Sequence, residues 1–175
     1  MCGAGALAIV ALGLVVHVPV QPPGIPLEYR VKAVYLFNFV KYVEWPSRNA
    51  TGPLMICVAE HNPFGDALSE AVRGELVNNR VVETRIITNP DQACHVMFVP
   101  RTVGSAPFLA ASRGAPTLTV GETPGFIKQG GLVNFILEEG KVRFVIDSKA
   151  AEHADLRISS HLLRLARPPE AKRQS

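Results

Sequence analysis

The chain has 175 residues, 47% of them hydrophobic and 19% charged, with a formal net charge of +3. That balance supports one packed core of ordinary domain size and excludes a disordered chain. Basic and acidic residues are interspersed, without the basic stripe that nucleic-acid recognition requires. The one basic cluster, Arg164, Arg167, Lys172 and Arg173, reads as a solvated end that runs into a basic tail at 169–175.

Residues 1–23 predict a leader. No Lys, Arg, Asp or Glu occurs before residue 28, and Ala4 to Val18 is almost wholly apolar. The run is shorter than the ~20 residues of a membrane span and suits the apolar core of a signal peptide. It lacks a preceding positive segment and a small-x-small cleavage site, so an uncleaved anchor is the alternative. Cys2 has no lipobox before it. Pro19, Pro22, Pro23 and Gly24 then make a linker that cannot be a helix or an inner strand.

From 24 to 168 the chain reads as one domain. Pro26 suits the first position of a helix over 27–43, which stops before Trp45-Pro46. Val31, Val34, Tyr35, Leu36, Phe37, Phe39, Val40 and Val43 form its broad apolar face, with Glu28, Arg30, Lys32, Asn38 and Lys41 on the wetter side. Leu54 to Ala59 is a continuous apolar run, as in a strand covered on both faces. Asn62-Pro63 predicts a helix start, with Asn62 as cap and Gly74 as stop. Strands follow at 80–87 and 95–99, a helix at 105–112 and a strand at 116–120. This alternation implies a mostly parallel sheet.

The last third changes character. Residues 132–138 and 141–147 alternate around Glu139-Gly140 and predict an antiparallel hairpin, with Val142, Phe144 and Ile146 on one face. Helices are expected at 148–154 and 158–166, the second burying Ile158, Leu162, Leu163 and Leu165, with Ser159-Ser160 as caps. The predicted fold class is α/β: one domain, a mixed, mostly parallel sheet of about six strands with the hairpin at its end, flanked by helices.

The residues offer little reactive chemistry. Cys57 and Cys94 are an even pair, which an exported chain permits to bridge. Neighbouring strands lie ~4.8 Å apart, close enough for the ~5.5–6 Å Cα separation of a disulfide between residues at one level. Two buried thiols acting as small hydrophobes are the alternative. Cys94-His95 is no nucleophile–base pair, because adjacent strand residues point to opposite faces. Glu60-His61 and Glu152-His153-Asp155 lack zinc-like spacing, so no metal or other cofactor is expected. Gly121-x-x-x-Gly125 and Gly130-Gly131 match no phosphate-binding fingerprint and read as turn geometry. Asn49-Ala50-Thr51 forms a sequon of low specificity. Tyr42 and Trp45, beside Pro46, are the best-placed aromatics for an exposed contact.

Taken in order, several stretches resemble the YfiR-like periplasmic family, from about Tyr29 to Ala166. They are Glu28 to Pro46, Ile56-Cys57-Val58, Cys94-His95-Val96, Leu118 to Glu122, Gly130 to Phe135, Val142 to Ile146 and Ile158 to Leu163. The resemblance implies a periplasmic α/β regulator, not an enzyme. Such proteins bind the periplasmic sensor domain of an inner-membrane GGDEF diguanylate cyclase and repress it, which lowers cyclic di-GMP and biofilm growth. It also implies that Cys57 and Cys94 are a bridged pair; a second cysteine pair found in some relatives has no counterpart here.

Three expectations follow. Tyr42, Glu44 and Trp45 would contact a membrane partner, which biases that partner between two states. A homodimer is a further assembly to consider, and no nucleic acid is expected. The alternative function is a small-ligand module of an envelope sensing or transport system. Its site would be the cleft outside the strands' carboxyl ends, lined by Asn62, Gly121 and Glu122.

Overall fold

The computed structural model describes residues 24–46, 52–89 and 94–168. The leader, the basic tail and the sequon at 49–51 lie outside the described residues. Helix α1 (Leu27–Tyr42) leads into strand β1 (Val43–Glu44); β2 (Leu54–Ala59), α2 (Ala67–Val72), β3 (Leu76–Val77), β4 (Arg80–Ile87) and β5 (Val96–Val99) follow. Then come α3 (Ser105–Ala111), β6 (Leu118–Gly121), β7 (Val133–Glu138), β8 (Lys141–Ile146), α4 (Ser148–His153), β9 (Arg157–Ile158) and α5 (Ser160–Leu165).

Seven strands form one mixed sheet in the order β3-β4-β2-β5-β6-β7-β8. The strands from β4 through β7 run parallel, and antiparallel β3 and β8 close the two edges. Beyond β8 the chain returns, and Arg167 N–H donates to Phe144 O at 2.8 Å. The buried strands β2, β5 and β6 are apolar on both faces because both faces are covered. On one face Leu36 and Phe39 of α1, Leu68 of α2 and Leu162 of α5 pack on Ile56, Val58, Phe98 and Val120. On the other, Phe108 and Leu109 of α3 meet Met55, Cys57, Met97 and Phe126. The hairpin turn places Glu139 at φ 50° and Gly140 at φ 73°, the left-handed pair a two-residue turn requires.

Four local expectations are corrected. Asn62 does not cap a helix: its side chain accepts from Phe64 N–H and donates to Gly65 O, which makes a turn, and α2 starts later at Ala67. The final helix begins at Ser160, because Arg157 and Ile158 pair with Glu44 and Val43 in a separate two-stranded sheet. Ser159 does cap it, accepting from Leu162 N–H at 3.2 Å. On α5 only Leu162 is buried, and Leu163 and Leu165 stand 39% and 52% exposed. The fourth concerns Lys32, which belongs to the core and not to a wet face.

Cys57 and Cys94 are joined by a disulfide with Cα atoms 5.8 Å apart. The ladder levels Cys57 with Met97, so Cys94 reaches it from the bend at His95 and not from a matching strand position.

Candidate functional site

Chain order makes the sheet reverse direction between β2 and β5, since the chain runs outward from β2 to β4 and then crosses back to β5. In open α/β sheets the crevice at such a reversal, outside the carboxyl ends, is the usual ligand site. Here the loops that would frame it are tied together. Thr102 Oγ1 lies 2.8 Å from His61 Nε2, which joins the segments after β5 and β2.

Beside this point stands a charged cluster built on the first turns of α1. Glu122, one residue past β6, accepts from Lys32 Nζ on one oxygen. Its other oxygen accepts from Tyr29 Oη at 3.1 Å and from Arg101 N–H at 2.9 Å. Lys32 also pairs with Glu28, and Arg101 Nη2 reaches that same carboxylate at 2.8 Å. The side chains of Lys32 and Glu122 are 2% and 1% exposed, so each charge depends on the other. Burial alone would raise the Glu122 pKa, but hydrogen bonds from Lys32 and Arg101 and the two nearby positive charges hold it below the ordinary value. Burial, and then the Glu122 charge, push the Tyr29 phenol up to about 12.

The three residues expected to line a ligand site do not converge on open space. Both oxygens of Glu122 accept from protein donors. Gly121 lies against the ring of Phe126, which would collide with a Cβ there, as it would at Gly131 on the ring's other side. These two glycines permit close approach, whereas Gly125 and Gly130 supply the positive φ of turns. Asn62 is exposed and engaged in its own turn. A shallow cleft of about 270 Å³ lies elsewhere, between α3, β6 and α4, with Leu109, Arg113, Thr119, Leu132 and His153 among its lining.

The opposite end of α1 forms an exposed corner. Val43 and Glu44 of β1 pair with Ile158 and Arg157 of β9, and Ser159 N–H donates to Tyr42 O at 2.9 Å. The Tyr42 ring lies on His161, centroids 4.9 Å apart. Lys41 Nζ stands 5.3 Å from the Phe37 ring centroid and 6.0 Å from that of Tyr42. Of the residues expected to meet a partner, Tyr42 and Glu44 share this corner. Trp45 turns the other way, edge-on to His95 at 5.5 Å, with its indole N–H buried and without an acceptor among the described residues. His95 itself accepts Met55 N–H on Nδ1, so it serves the bend beside the disulfide.

Sequence reasoning missed Tyr29, Lys32 and Arg101 as one cluster, and Lys41 and His161 as neighbours of Tyr42. The spacing of Glu28 and Lys32, one turn apart within an aromatic helix, was the only local signal for the first group.

Among the described residues no helix is long and apolar enough to cross a membrane, and no group of three or more His, Cys, Asp or Glu gathers as for a metal. The fold defines a disulfide-tied α/β domain on a seven-stranded mixed sheet. Residues 29–167 match the family described as YfiR/HmsC-like, and the chain belongs to that family. It is a periplasmic family of regulators, not of catalysts. Among curated proteins no match to the chain was found.

Proposed function

We propose that this protein is a periplasmic regulator that docks on the periplasmic domain of an inner-membrane GGDEF diguanylate cyclase and represses it. Membership of a regulatory family across 29–167 supports the class of activity. The disulfide supports the compartment, since bridged pairs persist where the surroundings are oxidising.

The observation that carries the docking reading is the corner at the end of α1. Tyr42 and Glu44 stand on backbone fixed by β9, and an aromatic side chain held by rigid elements is the usual anchor of an interface. Trp45, turned toward His95, stays outside this contact. Output is then a population shift: the partner's two states differ in affinity for this surface, and binding favours the inactive one.

The test is a deletion of the gene in its own host with a cyclic di-GMP reporter. Loss of the chain raises cyclic di-GMP and surface growth, and an exported wild-type copy reverses both. An unchanged reporter, together with recovery of the protein in the cytosol with both thiols reduced, overturns the reading.

A further inference from the structure

We infer that the strip formed by Phe37, Lys41, Tyr42 and His161, continued by Arg164 and Leu165, is the docking surface, and that its occupant is an acidic segment of the partner that also carries apolar side chains. The inference rests on the proposed docking function and names the chemistry of the partner.

Three observations carry it. The strip is continuous: Lys41 stands over the Phe37 and Tyr42 rings, and Tyr42 lies against His161. On α5, Arg164 and Leu165 are one turn beyond His161 and share its outward face. Second, its charge is one-sided. Lys41, Arg157 and Arg164 are exposed fixed cations, and within β1, β9 and α5 the one carboxylate is the exposed Glu44. Lys41, Arg157 and Glu44 enter no ion pair among the described residues, and Arg164 reaches only Ser160 Oγ at 3.4 Å. This contrasts with Arg167, which is paired to Glu138. Third, Leu165 on that face is exposed at 52%, on a helix whose sequence reads as buried.

A surface with Lys41 over two aromatic faces, Arg164 beside them and Leu165 at the edge is complementary to carboxylates alternating with apolar groups. An acidic amphipathic helix or extended strip of the partner meets both demands. A basic segment, or an anionic small molecule without apolar area, meets only one or neither. The backbone beneath is rigid on both sides, so little ordering accompanies binding.

The experiment uses the full chain, exported and oxidised, as bait on detergent-solubilised membranes, with affinity for the captured protein then measured on its purified extracytoplasmic domain. The variant K41E/R164E is expected to bind at least roughly tenfold more weakly, and wild-type affinity to fall as salt rises from ~0.05 to ~0.5 M. Reversing acidic residues of the captured domain restores binding to K41E/R164E. Disulfide content and urea midpoint confirm that the variant folds, and R113E, at the distant cleft, serves as the charge control with unchanged affinity. A wild-type bait that enriches no membrane protein overturns the docking function and the strip together. If it enriches one that K41E/R164E holds equally, with the same salt slope, the strip alone is wrong. A captured domain without an acidic segment at the contact overturns the occupant.

Discussion

Helix α1 carries two lysines near aromatic rings, one toward each end of the helix, and they have opposite fates. Lys32 is buried among Glu122, Glu28 and the rings of Tyr29 and Phe135. Lys41 stands in solvent over Phe37 and Tyr42. The difference teaches that residue type and nearest ring do not set a role. A buried ammonium must have its countercharge within the fold, so Lys32 fastens α1 to the ends of β5 and β6. An exposed one keeps its hydration and can exchange it for a partner's carboxylate. The closed end of the helix holds the molecule together, and the open end is left to meet something else.

Breaking the closed end has the largest expected effect. E122A leaves Lys32 with Glu28 alone and removes the acceptor of Tyr29 and of Arg101 N–H, so urea unfolding of the oxidised protein loses about 3–5 kcal/mol. If the change is under about 1 kcal/mol, the cluster is surface decoration and the contrast between the two ends collapses. The pair C57A/C94A, freeing a crosslink between residues 37 positions apart, loses about 3–4 kcal/mol in the same assay. Next, G121A forces the Phe126 ring aside and loses about 1–3 kcal/mol by overpacking, and an F126L background that relieves the collision restores part of it.

Titration sharpens the contrast without breaking it. The Glu122 carboxyl is held below its ordinary value, so its contribution is complete above pH 4.5 and is lost as pH falls through the folded value. The Tyr29 phenol is raised, so its contribution is complete below pH 10.0 and is lost as pH rises to about 12. Tyrosinate absorbance should show a late-ionising phenol from Tyr29, and E122Q should bring it down. The smallest effect belongs to the open end. K41Q changes stability by no more than about 1 kcal/mol, because an exposed cation over a ring contributes little to folding. A larger loss would mean that Lys41 is part of the core fastening and not of a contact surface.

Much of this architecture was legible beforehand where periodicity is local. The continuous apolar run at 54–59, the strand at 80–87 and the Glu139-Gly140 hairpin each carry their own pattern, and each occurs as read. The failures have a common cause. Leu163 and Leu165 look like core because helical spacing says which residues can share a face, not whether another element covers it. Arg157 and Ile158 look like the start of a helix because a two-residue strand exists only through its distant partner at 43–44. Asn62-Pro63 carries a cap signal that the chain uses for a turn, since the same side-chain hydrogen bond serves either.

By itself the sequence determined the class of the fold, the hairpin and the family, because these depend on the order of apolar and turn residues along the chain. Tertiary structure alone decided which charges are locked and which are available. Lys32 and Glu122 are 90 positions apart, as Tyr42 and His161 are also far separated, and no local pattern encodes such meetings. The free energy of a charge depends on the water around it, and only the packed fold says where that water is.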